Sequence, residues 1–596
     1  MTRAYPMTWG AQVSGAGVRF RLWAPAASGV CVAIVSDRVE RTVPMEPVGS
    51  GWYEISDAEC GAGTRYFYEI DGARRVPDPA ARFAPEGPAA ASEVIDPSAF
   101  RWPEANAPPA PEALVFYELH VGTFTRSGTY AEAAERLDYL VDLGVNAIEL
   151  MPLAERPGAR NWGYDGVLWY APAQCYGRPD DLKAFVAAAH SRGLAVLLDV
   201  VYNHFGPQGN YLGSYAPQFF TKAHHTPWGD AIDYGAPRNK PVRRFAIENA
   251  CYWLYEYDFD GLRLDATQEI YDDSATHILR ELAAEAHRSK DRRVYLVVEN
   301  DDNDTTAFER GYDAQWNDDV HHALHVALTG EGDGYYEDFT ADPVGLLGRA
   351  LTQGFAFQGE ASAFRGGRPR GGPTDGAALS QFVNFLQNHD QIGNRAFGER
   401  ISALAPPEAI RAALVTMLLA PSPPFLFMGE EWAASTPFLY FCDFEPELSK
   451  LVTEGRRREF ARFARFADPA ARERIPDPAS PATFEHSVLD WNEPKKPEHR
   501  RVLELYRELL RIRRTEIVPR LAGVTGADAE CVRRGERGLY CSWRLADGAL
   551  LTLETNLAPR PQNGFAERIR GKELYATIPF EGDVAPAWSA RWGLAP

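Results

Sequence analysis

The chain has 596 residues, enough for several domains, and its 45% hydrophobic content supplies material for sizeable cores. Its formal net charge of −20 sets it against nucleic acid and anionic membrane surfaces, which would repel it. A neutral ligand such as a sugar meets no such barrier, so the charge excludes more than it selects.

The start of the chain, MTRAYPMTWGAQ, carries no apolar stretch behind a basic segment, and no run approaches the ~18 apolar residues of a membrane span. The expected location is therefore the cytoplasm. Cys31, Cys60, Cys175, Cys251, Cys442, Cys531 and Cys541 are odd in number and scattered, without CxxC or Cys/His metal spacing. They read as separate thiols in a reducing compartment.

Residues 1–95 form short runs of alternating polarity broken by Gly, Pro and Asp: GVRFRLWAP, GVCVAIVSD, GWYEI and TRYFYEIDG. This predicts an antiparallel β-sandwich. A Pro- and Ala-rich linker occupies 96–112. From 113 to 500 short apolar runs alternate with amphipathic ones. Strands are predicted within 113–124, 145–153, 194–204, 261–266, 294–300, 312–318, 381–390 and 423–432, and helices over 130–144, 180–193, 241–257 and 274–288. Eight strands with helices between them imply a parallel sheet that closes into a (β/α)8 barrel. Segments 205–240 and 433–495 are too long for simple connections and are expected to run over the barrel mouth. Residues 501–596 begin with a charged helix and continue as an antiparallel β-domain.

Acidic residues recur where these strands end: Asp199, Asp265, Glu299 and Asp390. Any one of them could be a turn former or helix cap. Their neighbours argue for more. Arg263 lies two residues before Asp265, on the same strand face, and at ~4 Å would favour the ionised carboxylate by about 4 kcal/mol in an effective dielectric near 20. Glu299 ends the apolar run VYLVVEN, where burial should keep a carboxyl protonated. Asp390 follows Asn388 and His389. An ionised carboxylate, a protonated one and a third to support positive charge are the inventory for cleaving a glycosidic bond.

The segments DVVYNH (199–204), GLRLDA (261–266), VVEN (297–300) and FLQNHD (385–390) resemble, in order and spacing, the four signature regions of the α-amylase superfamily, glycoside hydrolase family 13. The resemblance covers about 113–445. It implies Asp265 as nucleophile, Glu299 as acid/base and Asp390 as transition-state stabiliser, with Asp199 structural. Arg263, His204 and His389 would line the same subsite, and Tyr164 would stack beneath the sugar ring. It also implies an immunoglobulin-like N-terminal domain of the carbohydrate-binding-module kind. The segments WNDDVHHALHVALTGE (316–331), FAFQGEASAFRGGRPRG (355–371) and FMGEEWAASTPFLYFCDFEPEL (427–448) are similar to one branch of that superfamily. Its reaction is hydrolysis of the α-1,4 bond next to the terminal trehalose of a maltooligosaccharide, by retaining double displacement. A functional pairing with the synthase that makes such ends is implied. Trp228 and the 355–357 aromatics are candidates for contacting the leaving sugars. A glucan-branching transferase is the alternative.

No cofactor is expected. His321 and His325 stand four apart beside Asp318 and Asp319, but without an HExxH arrangement, and DDNDT (301–305) lacks the glycine and closing glutamate of a calcium loop.

Overall fold

The computed structural model describes residues 2–35, 40–104, 106–237, 239–566 and 568–596. Ser36 and Asp37 of the predicted strand GVCVAIVSD, Ala105 of the linker and Arg238 of the long excursion lie outside the described residues.

Two small antiparallel sheets form the N-terminal sandwich. One is built around Gly17–Trp23 paired with Trp52–Asp57, the other around Val30–Val35 paired with Arg65–Ile70. The strands Arg41–Pro44 and Glu46–Gly49, which pair with Val30–Val35 of one sheet and Trp52–Asp57 of the other, were not visible in the sequence. The sandwich docks on the barrel helix Lys240–Glu256. Arg82 donates from two guanidinium nitrogens to Glu256, both at 3.1 Å, and the buried Trp9 packs its ring on Phe245.

The barrel strands are β1 (Phe116–Leu119), β2 (Ala147–Leu150), β3 (Ala195–Val200), β4 (Gly261–Leu264), β5 (Tyr295–Val298), β6 (Ala314–Trp316), β7 (Phe382–Phe385) and β8 (Pro424–Phe427). They pair in parallel in that order, and Phe116 opposite Phe425 closes the ring. The predicted helix over 130–144 is two, Tyr130–Ala134 and Leu137–Leu143, and between them Arg136 lies over the Trp491 ring. The excursion after β3 folds as the hairpin Phe220–Thr226 and Gly229–Ile232. The one after β8 carries the helix Pro446–Phe460 and two shorter ones.

Period-2 alternation along these strands determines what the barrel encloses. One side of each faces the surrounding helices, through residues such as Tyr117, Ile148, Leu198, Leu262 and Leu296. The other side builds an interior plug from Phe116, Ala147, Ala195, Leu197, Tyr295, Val297, Ala314, Trp316, Phe385 and Phe425. Continued toward the strands' C-terminal ends, that interior face meets Glu118, Glu149, Asp199, Arg263 and Glu299. The barrel is thus apolar at its base and charged at its mouth, where this architecture places its chemistry.

Candidate active site

Arg263 organises the mouth. Its fully buried side chain leaves β4 with the guanidinium 4.0 Å over the Trp316 ring. One terminal nitrogen donates to Asp199 at 2.6 Å and Asp265 at 3.0 Å, and the other donates to Glu299 at 2.7 Å. Burial alone would lower its pKa, but Asp199 and Glu299 carry it well above the usual value. One permanent cation therefore serves three carboxyl groups, and asparagine adds a further donor: Asn203 Nδ2 lies 2.8 Å from Asp265 Oδ2.

The turn after β4 is what brings Glu299 to this cation. Ala266 has φ +42°, a left-handed conformation unusual for alanine, and its N–H donates to Glu299 Oε2 at 2.9 Å. Glu299 is raised to about 8, first by burial, with Arg263 opposing and Asp265, Asp390 and Asp318 adding to the rise. Burial, the cause expected from the sequence, comes first, and the neighbouring carboxylates, which the sequence reading did not weigh, add to it.

The predicted strand through Asp390 stops at Phe385, and Asp390 lies in the first turn of a short helix, His389–Gly393. Asn388 supplies the reason. Its side chain accepts from the Asp390 N–H at 2.9 Å while Gln391 Oε1 accepts from the Asn388 N–H at 2.8 Å, a capping arrangement that ends the strand. Asp390 Oδ1 accepts from Asn394 at 3.0 Å and lies 3.5 Å from His389 Nε2. The other face of that imidazole meets Glu118, which accepts from His389 Nδ1 at 2.5 Å and from its backbone N–H at 3.0 Å. Burial would lower the His389 pKa, but the carboxylates of Asp390 and Glu118 raise it to about 9. His389 is therefore a second cation at neutral pH.

The remaining expected residues converge on the same place. Tyr164 donates to Asp199 at 2.6 Å, and its ring stacks on His389 at 5.1 Å. His204 has its Nε2 3.0 Å from the Tyr164 carbonyl oxygen, and burial lowers it to about 4, leaving it neutral. Trp228, exposed on its hairpin, lies flat on His204 with centroids 4.2 Å apart. The 355–357 aromatics are otherwise placed: Phe355 is fully buried edge-on against Phe382, and Phe357 is buried against Phe339. They are packing, because the backbone N–H groups of Ala356 and Phe357 are pulled inward onto Asp319 Oδ2.

Three carboxyl groups were not read from the sequence as part of this site. Glu118 orients His389. Glu149 is fully buried without a hydrogen-bonding side chain, and burial with the charges of Asp199 and Glu118 pushes its pKa up. The alternation in FYEL and AIEL placed both on the interior face and could have revealed them. Asp318, in the first turn after β6, accepts from Gln391 Nε2 at 3.2 Å and is raised to about 7, chiefly by burial. His321 and His325 are engaged elsewhere, with Tyr336 at 2.9 Å and Glu331 at 2.9 Å.

A closed eight-stranded barrel with three carboxyl groups around one buried arginine is the arrangement of an α-amylase-type glycoside hydrolase. Family models agree along the chain: the alpha amylase catalytic domain matches residues 103–228, carbohydrate-binding module 48 (isoamylase N-terminal domain) matches 8–99, and a domain of unknown function matches 526–592. A malto-oligosyltrehalose trehalohydrolase of Deinococcus radiodurans is 46% identical over 506 residues, 85% of this chain and 82% of that protein. One from Rhizobium sp. is 44% identical over 565 residues, 92% of each. A crystal structure of a Salmonella typhimurium protein described as an alpha amylase superposes with a TM-score of 0.93 at 41% identity, covering 99% of this chain and all of the other. A 1,4-alpha-glucan branching enzyme of Streptomyces coelicolor is 38% identical, but over only 42% of this chain and 36% of its own length. The chain belongs to the malto-oligosyltrehalose trehalohydrolase family of the α-amylase superfamily.

Proposed function

We propose that this protein hydrolyses the α-1,4-glucosidic bond next to the terminal trehalose of a maltooligosyltrehalose, releasing trehalose and a maltooligosaccharide. The observation that carries the reading is the single guanidinium of Arg263 gripping both Asp265 and Glu299, in a chain related along most of its length to trehalohydrolases. Two carboxyl groups within the span of one guanidinium fall on the side of the short separation, ~5–5.5 Å, that retaining hydrolysis uses.

In this reading Asp265 attacks the anomeric carbon while Glu299 gives its proton to the departing glycosidic oxygen. Asp390 holds hydroxyls of the reacting sugar and offsets the positive charge that develops on its ring. Tyr164 and His204 line its underside, and Trp228 lies at the rim. When Asp265 becomes esterified it loses its charge, and one cause of the raised Glu299 pKa disappears. Glu299 can then take a proton from the incoming water, and the second displacement restores the starting configuration. The alkaline limb of kcat/KM should lie near pH 8, since activity needs Glu299 protonated. Asp318→Asn removes one of the charges raising that pKa, so its alkaline limb should move to lower pH. An unmoved limb would mean that Asp318 does not act on Glu299.

Pairing with a synthase that builds trehalose ends, a role in trehalose biosynthesis and a cytoplasmic setting complete the proposal; among the described residues no helix is long and apolar enough to cross a membrane. Incubation with maltopentaosyl-trehalose and, separately, with maltoheptaose tests it by product chromatography. Rapid release of trehalose from the first with little cleavage of the second is expected. Equal cleavage of both would overturn the specificity, and accumulation of branched products would favour the transferase.

A further inference from the structure

We propose that Cys531 and Cys541 are a thiol–disulfide site, oxidised to an internal disulfide by a small peroxide and restored by a dithiol. Their strands, Ala529–Arg534 and Gly538–Arg544, pair antiparallel with the two cysteines directly opposite. Directly opposed residues of such a pair have Cα atoms about 4.5–5.5 Å apart, inside the ~4.4–6.8 Å that a disulfide spans. The two sulfurs are 3.3 Å apart, so the side chains already face one another and no backbone rearrangement is required. All seven cysteines are free thiols.

The two sulfurs differ in a way that assigns their roles. Cys531 is half-buried on the edge strand of the C-terminal antiparallel sheet, whose five strands run in chain order from Ala529–Arg534 to Ser589–Ala595, whereas Cys541 is buried on its inner neighbour. The Cys541 thiol donates to the Cys531 sulfur, which lowers the pKa of Cys531 and raises that of Cys541. The thiolate thus forms on the less buried member of the pair, with a protonated partner beside it, the arrangement of a redox-sensitive cysteine and its resolving cysteine.

The Cys531 thiolate attacks one oxygen of hydrogen peroxide. The O–O bond breaks, hydroxide leaves and is protonated to water, and a sulfenic acid remains. The Cys541 sulfur then attacks the Cys531 sulfur, the S–O bond breaks, and the departing hydroxide takes up the Cys541 proton as a second water. The two thiols lose two electrons in total and the peroxide gains them.

The packing around Cys531 favours a small oxidant. The helix Pro343–Gln353 lies against this face, with Trp543 Nε1 donating to the Leu351 carbonyl at 3.3 Å. At Gly348 the approach is so close that a Cβ would stand 2.3 Å from the Cys531 sulfur. A bulky adduct on the side of that sulfur facing the helix would have to displace it, whereas a bond to Cys541 runs along the sheet to a sulfur already 3.3 Å away.

The test is stoichiometric peroxide on the full-length protein, followed by peptide mass mapping and a count of free thiols in denaturant. The expected result is a 531–541 linked peptide lighter by two hydrogens, two thiols lost, and recovery with dithiothreitol. Cys531 should react at least about ten-fold faster than the other cysteines. In Cys541→Ser the reaction should stop at a sulfenic acid on Cys531 that dimedone traps. Oxidation falling first on another cysteine, or wild-type Cys531 oxidised with no linked peptide, would overturn the proposal. The wild-type mapping is decisive even if the variant does not fold.

Discussion

Asp265→Asn is expected to lower kcat on a trehalose-capped maltooligosaccharide by about 10⁴-fold or more, because it removes the proposed nucleophile while keeping its shape. Asn203 and Arg263 surround the position, and an amide oxygen can still accept from either, so the fold should be retained. A substrate with a good leaving group separates the roles further. An α-glucosyl fluoride needs little protonation, so Glu299→Gln should recover much of its loss on that substrate, whereas Asp265→Asn should recover none. Steady-state kinetics on both substrates measures this. An Asp265→Asn enzyme within about ten-fold of wild type would remove Asp265 from the nucleophile's role.

Arg263→Met should damage stability and activity together. The side chain is fully buried and pairs with Asp199, Asp265 and Glu299. Removing it leaves carboxyl groups in a desolvated site without compensation, which typically costs ~3–5 kcal/mol. The protein's easiest relief is to take up protons, and Asp265 would then no longer be an anion ready to attack. Arg263→Lys keeps a charge but replaces a two-armed planar donor with a point donor that cannot reach both Asp265 and Glu299 in the same geometry. It should fold better than the methionine variant and still lose about 10²–10³-fold in kcat/KM. Thermal unfolding with kcat/KM for both variants checks this. A methionine variant as stable and active as wild type would show that the carboxyl groups do not depend on this cation.

The barrel was legible because its strands are short apolar runs separated by amphipathic ones, and period-2 alternation carries one face from Val297 straight to Glu299 and from Arg263 to Asp265. Glu118 was not read, although FYEL places it on the face of Phe116. Its partner His389 is 271 residues away, and only closure of the barrel joins them. Asp390 was found by its motif but given the wrong backbone, since a capping exchange between Asn388 and Gln391 outweighs the apolar run before it. Phe355 and Phe357 looked like platforms because a loop was expected to expose them. Asp319, on a neighbouring helix, draws their backbone inward instead. Cys531 and Cys541 looked scattered in a count of cysteines. They stand equally far from Glu536 in CVRRGERGLYC, a symmetry that a hairpin reading would have turned into a pair.

The most direct measurement is to trap the glycosyl-enzyme with a 5-fluoro-α-glucosyl fluoride and locate the label by peptide mass mapping. The account predicts an ester on Asp265, with retained anomeric configuration in the products of normal turnover. A label on Glu299 or Asp390, or inverted products, would contradict it.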